Sequence, residues 1–121
     1  MDDKLFKVGE INSVYSAYVG AEHLGKPIMQ SSGLQTHLQK RHPNDLQYFS
    51  QVSAILSSPD YVGVNPNEPG TSFEVVKVLA DNVRVGVKID VSNEYFYVST
   101  LFSITTGKLQ HNIANNRLNP V

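Results

Sequence analysis

Val83-Arg84-Val85-Gly86-Val87-Lys88-Ile89-Asp90-Val91 alternates without a break between apolar residues and Arg84, Gly86, Lys88 and Asp90. A period of two sends successive side chains to opposite faces of a sheet, so this stretch reads as a strand with one face buried and the other turned to water. Upstream, Phe73 to Ala80 is apolar with Glu74 and Lys77 interposed, and Asp81-Asn82 supplies the turn between the two strands. Downstream, Ser92-Asn93-Glu94 turns the chain into Tyr95 to Thr105. There, alternation predicts Phe96, Val98, Thr100, Phe102 and Ile104 on one face and Tyr95, Tyr97, Ser99, Leu101 and Ser103 on the other. Connections this short make the strands an antiparallel meander. Tyr61 to Val64 reads as a further short strand, separated from the meander by turn residues from Asn65 to Gly70.

Before Asp60 the period is helical. Ile11, Val14, Tyr15 and Tyr18 recur at i, i+3, i+4 and i+7, which predicts a helix from about Glu10 to Val19, stopped at Gly20. Leu5 to Val8 could be a strand, and Pro27 makes Lys26 to Met29 extended. Ser31 or Ser32 caps a second predicted helix through Leu34, Leu38 and Arg41, ending before Pro43. Asn44, with Gln47 at the capping-box position, begins a third, whose stripe is Leu46, Phe49, Val52, Ile55 and Leu56. The predicted architecture is α+β: N-terminal helices packed on one side of a curved four-stranded antiparallel sheet. One domain accounts for the chain: residues 1–30 as a strand and helix, 31–58 as the helical part, 60–105 as the sheet, and 106–121 as a polar tail with at most one weak helical turn around Leu109 and Ile113.

At 121 residues and 40% hydrophobic, the chain can bury one ordinary core. No run approaches the roughly 18 apolar residues of a membrane span, and Met1 to Lys4 lacks the basic start of a secretion signal, so a cytoplasmic location is expected. The absence of cysteine excludes disulfides and thiolate chemistry. A net charge of −1 argues against a protein that blankets phosphates with cations, although residues 98–121 carry Lys108 and Arg117 and no acid.

Two histidines and two cations fall within six residues, His37 to His42, at the junction of two predicted helices. His37 and Arg41 stand at i, i+4 on one helix face, whereas His37 and His42 would diverge by roughly 140° on a continuous helix and could not share a metal. No carboxylate cluster offers a magnesium site, and phosphate-loop and dinucleotide motifs are missing, so no cofactor and no metal are expected. Acid–base chemistry on a phosphodiester needs neither: an imidazole can move the proton, a cation can stabilise the transition state, and RNA supplies its own 2′-hydroxyl. Lys88 and Arg84 project from the polar face of the best strand and Lys77 from its neighbour; all three could equally be a solvated surface. Tyr95 and Tyr97 could stack bases, and Glu74 could be a base or an ion-pair partner.

The ordered segments His37-Leu38-Gln39-Lys40-Arg41-His42-Pro43, Tyr48-Phe49, Ile55-Leu56, Pro59-Asp60-Tyr61-Val62-Gly63, Ser72-Phe73-Glu74-Val75-Val76-Lys77, Val87-Lys88-Ile89-Asp90 and Tyr97-Val98-Ser99-Thr100 resemble the phage-associated branch of the barnase, EndoU, colicin and RelE nuclease superfamily. The resemblance implies a toxin-type ribonuclease that cuts by 2′-hydroxyl attack without a metal. Its implied catalytic residues here are His37 as proton-transfer group, with His42 competing, Arg41 or Lys88 as phosphate clamp, and Thr100 with Ser99 as orienting hydroxyls. Lys40, Lys77, Arg84, Tyr97 and Ser103 are the substrate-binding candidates. The implied partners are RNA, tRNA among them, and a cognate antitoxin or immunity protein. A catalytically inactive interaction module that binds a host protein, and an RNA-binding protein without catalysis, are the competing classes. The chain departs from related toxins at Phe102, where a tyrosine is common two residues past the last-strand threonine.

Overall fold

A computed structural model describes residues 4–92 and 94–121. The chain runs β1 (Leu5–Glu10), α1 (Ser13–Val19), β2 (Pro27–Ser31), α2 (Ser32–Arg41), a 3₁₀ segment (Pro43–Gln51), α3 (Val52–Ser57), β3 (Tyr61–Gly63), β4 (Ser72–Val78), β5 (Asn82–Asp90), β6 (Tyr95–Ile104), α4 (Thr106–Ala114) and β7 (Leu118–Pro120). The alternating stretch is β5, at the centre of one sheet ordered β1-β2-β6-β5-β4-β3-β7. Among the described residues, seven strands therefore replace the four expected. The extra ones come from both ends of the chain, where single apolar side chains such as Val8, Ile28 and Leu118 are buried in strands too short to show alternation. Nor is the sheet wholly antiparallel. β2 lies parallel to β6, because α2, the 3₁₀ segment, α3 and three strands intervene before the chain returns beside it.

Local chemistry sets the element ends. Asn12 caps α1 by accepting from the Tyr15 amide, so the helix starts after Glu10 rather than at it. Ser31 caps α2 by accepting from the Gly33 amide. Residues 43–51 are 3₁₀ rather than α-helical: Pro43 opens the segment, and its buried residues, Asp45 and Tyr48, stand three apart, the spacing that eclipses in a 3₁₀ helix. The Gln47 amide donates to the Asn44 carbonyl instead of completing a capping box. Residues 106–114, expected to be a weak turn in a polar tail, form α4, capped by the Thr105 hydroxyl, which accepts from the Lys108 amide. The turn foreseen at Ser92-Asn93-Glu94 includes Asn93, and the unsignalled start includes residues 1–3; these lie outside the described residues.

Each face of the sheet buries its own cluster. On one, α1, α2 and α3 cover Phe73, Val75, Val83, Val85, Val87 and Phe96, and Tyr15 stacks on Phe73 with ring centres 4.3 Å apart. On the reverse, α4 covers only one end, where Leu109 and Ile113 meet Val76, Ile104 and Leu118. Among the described residues, no helix covers the remainder of that reverse face.

Candidate functional site

A bulge in β6 decides which side chains reach the reverse face. Gly86 pairs with Thr100 but Val87 pairs with Val98, so Ser99 is an extra residue and the alternation changes phase there. Phe96 and Val98 point into the helix-covered core, yet Thr100 and Phe102 stand on the reverse face with Tyr95 and Tyr97, while Leu101 and Ser103 take the core side. The unbroken alternation predicted for 95–105 is thus corrected. The Ser99 hydroxyl donates to the Gly86 carbonyl at 3.2 Å, which ties down the bulge.

Beside it lies a small recess lined by Ser72, Glu74, Gly86, Lys88, Ser99 and Thr100. Gly86 keeps the recess open: a Cβ there would come within 2.4 Å of the Thr100 Oγ1. Lys88 enters from β5 and pairs with Glu68 Oε1 at 2.8 Å; that hydrogen bond raises its pKa. Behind the recess, Arg117 grips the Glu74 carboxylate with two hydrogen bonds, Nε to Oε1 at 2.6 Å and Nη2 to Oε2 at 3.1 Å. Arg84 Nε stands 3.6 Å from Glu74 Oε2. Arg84, read from the sequence as part of a polar strand face, is only 4% exposed, and burial lowers its pKa against the opposing pull of Glu74. Glu74 of β4 and Arg84 of β5 are therefore the core of a buried ionic cluster rather than part of a solvated surface. Among the described residues, Arg84 Nε and Nη2 have no hydrogen-bond partner.

The histidines approach the same face from the side. Among the described residues, no strand lies beyond the C-terminal half of β6, and Asp45 fills that edge by accepting from the Ser103 amide at 3.0 Å. This anchors the end of α2. His42 leaves the helix at φ −140°, ψ 59°, and its ring stacks on Phe102 with centres 5.8 Å apart. Phe102 in turn lies 5.7 Å from the Arg84 guanidinium. Because His42 has left the helix, the 140° divergence does not apply, and its ring centre is 5.9 Å from that of His37. A line of contacts so runs from His37 through His42, Phe102, Arg84 and Glu74 to Arg117.

Arg41 and Lys40 are exposed in the last turn of α2. Tyr97 pairs with Lys88 on the reverse face. Two candidates fall elsewhere. Lys77 pairs with Val83 on the helix-covered side and reaches Asp60 at 3.5 Å, since Glu74, Val76 and Val78 take the alternate positions. Ser103 is turned to that side by the bulge. The sequence marks Arg117 only as a cation of the acid-free run 98–121, because 43 residues separate it from Glu74 and no periodicity links the two. Among the described residues, no group of three or more histidine and acidic side chains is placed to hold a metal, and no helix is long and apolar enough to cross a membrane.

A mixed sheet that carries α1 to α3 on one face, and α4 over one end of the other face, where the His42 ring meets Phe102, defines an α+β protein. The chain belongs to the family described as phage-Barnase-EndoU-ColicinE5/D-RelE like nuclease 3, whose model matches residues 6–111. Neither a curated protein nor a solved structure matches it. The matched span takes in the histidines, the recess and most of α4; Arg117 and β7 lie beyond it.

Proposed function

We propose that this protein is a small, metal-independent endoribonuclease of toxin type, acting in the cytoplasm and restrained by a cognate antitoxin or immunity protein. Nuclease-family membership supports the chemistry, and one observation carries its location: His42 stacks on Phe102, two residues along β6 from Thr100, so imidazole and hydroxyl serve one uncovered sheet face. RNA lies across β6. One imidazole of the His37–His42 pair takes the proton from the ribose 2′-hydroxyl, whose oxygen attacks phosphorus. The P–O5′ bond breaks, the other imidazole protonates the departing 5′-oxygen, and the products are a 2′,3′-cyclic phosphate and a 5′-hydroxyl. Lys88 stabilises the phosphorane charge, Thr100 orients the phosphate from the face to which the Ser99 bulge turns it, and Arg41 and Lys40 hold the flanking backbone. Purified protein should cut tRNA or total RNA in EDTA, and His37→Ala and His42→Ala should each lower the rate by about 10²-fold or more. Intact RNA at large enzyme excess would refute the reading.

A second reading, a nuclease fold reused to bind a host protein, draws on the pairing of Lys88 with Glu68 and of both arginines with Glu74. The cations nearest the recess already have carboxylate partners. RNA turnover that is lost in His42→Ala would exclude it.

A further inference from the structure

On the far side of the Glu74–Arg117 pair is a second, larger cavity of about 480 Å³, within the range of small-ligand pockets. Glu74 lines the recess and Arg117 lines this cavity, so the ion pair is the wall between them. Val64 and Pro66 close one side, and the intervening Asn65 faces the recess. Opposite, α4 presents Lys108, His111, Asn112 and Asn115 at i, i+3, i+4 and i+7, a polar stripe beside the apolar Leu109 and Ile113 that seat the helix on the sheet. Lys108 is exposed and, among the described residues, has no ion-pair partner. Asn112 is 5% exposed, and its amide nitrogen has no hydrogen-bond partner among those residues. Asn115 Nδ2 and His111 Nε2 are 2.9 Å apart and hold each other at the rim.

We infer that this cavity binds one nucleotide of a single-stranded RNA, the unit next to the one held at the recess. The inference rests on the nuclease reading for the identity of the chain that enters, and on the cavity for the unit that is bound. Carboxamides offer donor and acceptor together, which suits the hydrogen-bonding edge of an unpaired base. Lys108 supplies the phosphate contact, and Arg117, shared with Glu74, fixes the distance between the two units. The acid-free run from residue 98 to 121 keeps the side of the cavity formed by α4 free of competing carboxylates.

The test uses the whole protein with a labelled oligodeoxynucleotide decamer, which lacks the attacking 2′-hydroxyl and cannot be cut by this route, and with the four 5′-mononucleotides. Lys108→Ala should weaken decamer binding severalfold and lower the slope of log affinity against log salt by about 0.7, the share of one phosphate on a single strand. Asn115→Ala, at an exposed position, should change which mononucleotide binds best. Mononucleotides should shift the NMR amide signals of Lys108, His111 and Asn112 at concentrations well above those at which the decamer does. An unchanged salt slope with no such shifts, in protein that still cuts RNA, would overturn the inference and leave the nuclease reading standing. Binding here by protein that never cuts RNA would overturn the nuclease reading and leave the nucleotide site standing. Mononucleotides bound as tightly as the decamer would make the cavity a free-nucleotide site and overturn its place beside the recess.

Discussion

On the face covered by α1 to α3, Phe73, Val75 and Val85 are buried against Tyr15 and the helices; one residue along the same strands, Glu74 and Arg84 are buried on the reverse face, where the partly exposed Arg117 pairs with Glu74. Both sets are withdrawn from water, but by different means. Apolar packing is a sum of many weak contacts, so each residue removed takes away its own share. The ionic cluster holds together because its charges compensate one another, and losing one leaves the rest exposed to the full cost of burial. Burial on the two sides thus implies unequal responses to substitution.

The largest effects test that inequality. Phe73→Ala should cost about 3–5 kcal/mol through the cavity left against Tyr15. Glu74→Ala should cost about as much, by stranding the buried Arg84 charge. Urea unfolding separates the mechanisms when apolar residues of similar volume replace Glu74, Arg84 and Arg117 together. The triple change should recover most of what Glu74→Ala loses, whereas a second core truncation added to Phe73→Ala should only deepen its loss. Equal deepening on both faces would erase the distinction.

The next effect belongs to the apolar face alone. Tyr15 is 1% exposed, its hydroxyl donates to the Leu56 carbonyl, and burial pushes its pKa up to about 12. Between pH 10 and 12 the unfolded chain loses this proton and the folded one keeps it, so stability falls as pH rises. The loss reaches about 2–3 kcal/mol by pH 12. Tyr15→Phe should flatten the alkaline limb measured by urea unfolding at a series of pH values. A limb of unchanged steepness would show that Tyr15 ionises equally in both states.

Smaller again is the cap of the helix that carries both histidines. Ser31→Ala should cost about 1 kcal/mol through the lost hydrogen bond from the Gly33 amide. Because Asp45 independently ties the other end of α2 to β6, cleavage of RNA should outlast that loss at temperatures where the protein remains folded. A drop in rate as large as that of His42→Ala would mean that α2 needs both anchors.

Residues 83–91 declare their strand because period two and burial of one face coincide there, and Ser31 to Arg41 declare a helix through its cap, its stripe and Pro43. The site was legible only in part. His37, His42, Lys88 and Thr100 draw notice by chemistry, but the face on which Thr100 stands and the approach of the two imidazoles depend on two local breaks in regularity: the extra residue Ser99 and the exit of His42 from its helix. Strict alternation would have put Thr100 beside Val98, and a continued helix would have parted the histidines. Glu74 and Arg117 meet only through the pairing of β3 with both β4 and β7, a long-range event that spacing in the sequence does not encode.

The smallest predicted stability change bears most directly on which face meets the nucleic acid. Lys77 and Lys88 lie on neighbouring strands, and each pairs with one carboxylate, Asp60 at 3.5 Å and Glu68 at 2.8 Å. Both pairs are partly exposed, so Lys77→Ala and Lys88→Ala should each cost at most about 1 kcal/mol of stability. Their functional effects should diverge, because Lys77 stands opposite Val83 on the helix-covered side and Lys88 lines the recess. Lys88→Ala should weaken RNA cleavage by at least tenfold and lower the salt dependence of binding, while Lys77→Ala changes neither. Parallel losses in the two variants would place the nucleic acid somewhere other than the uncovered face, whatever the histidine variants do.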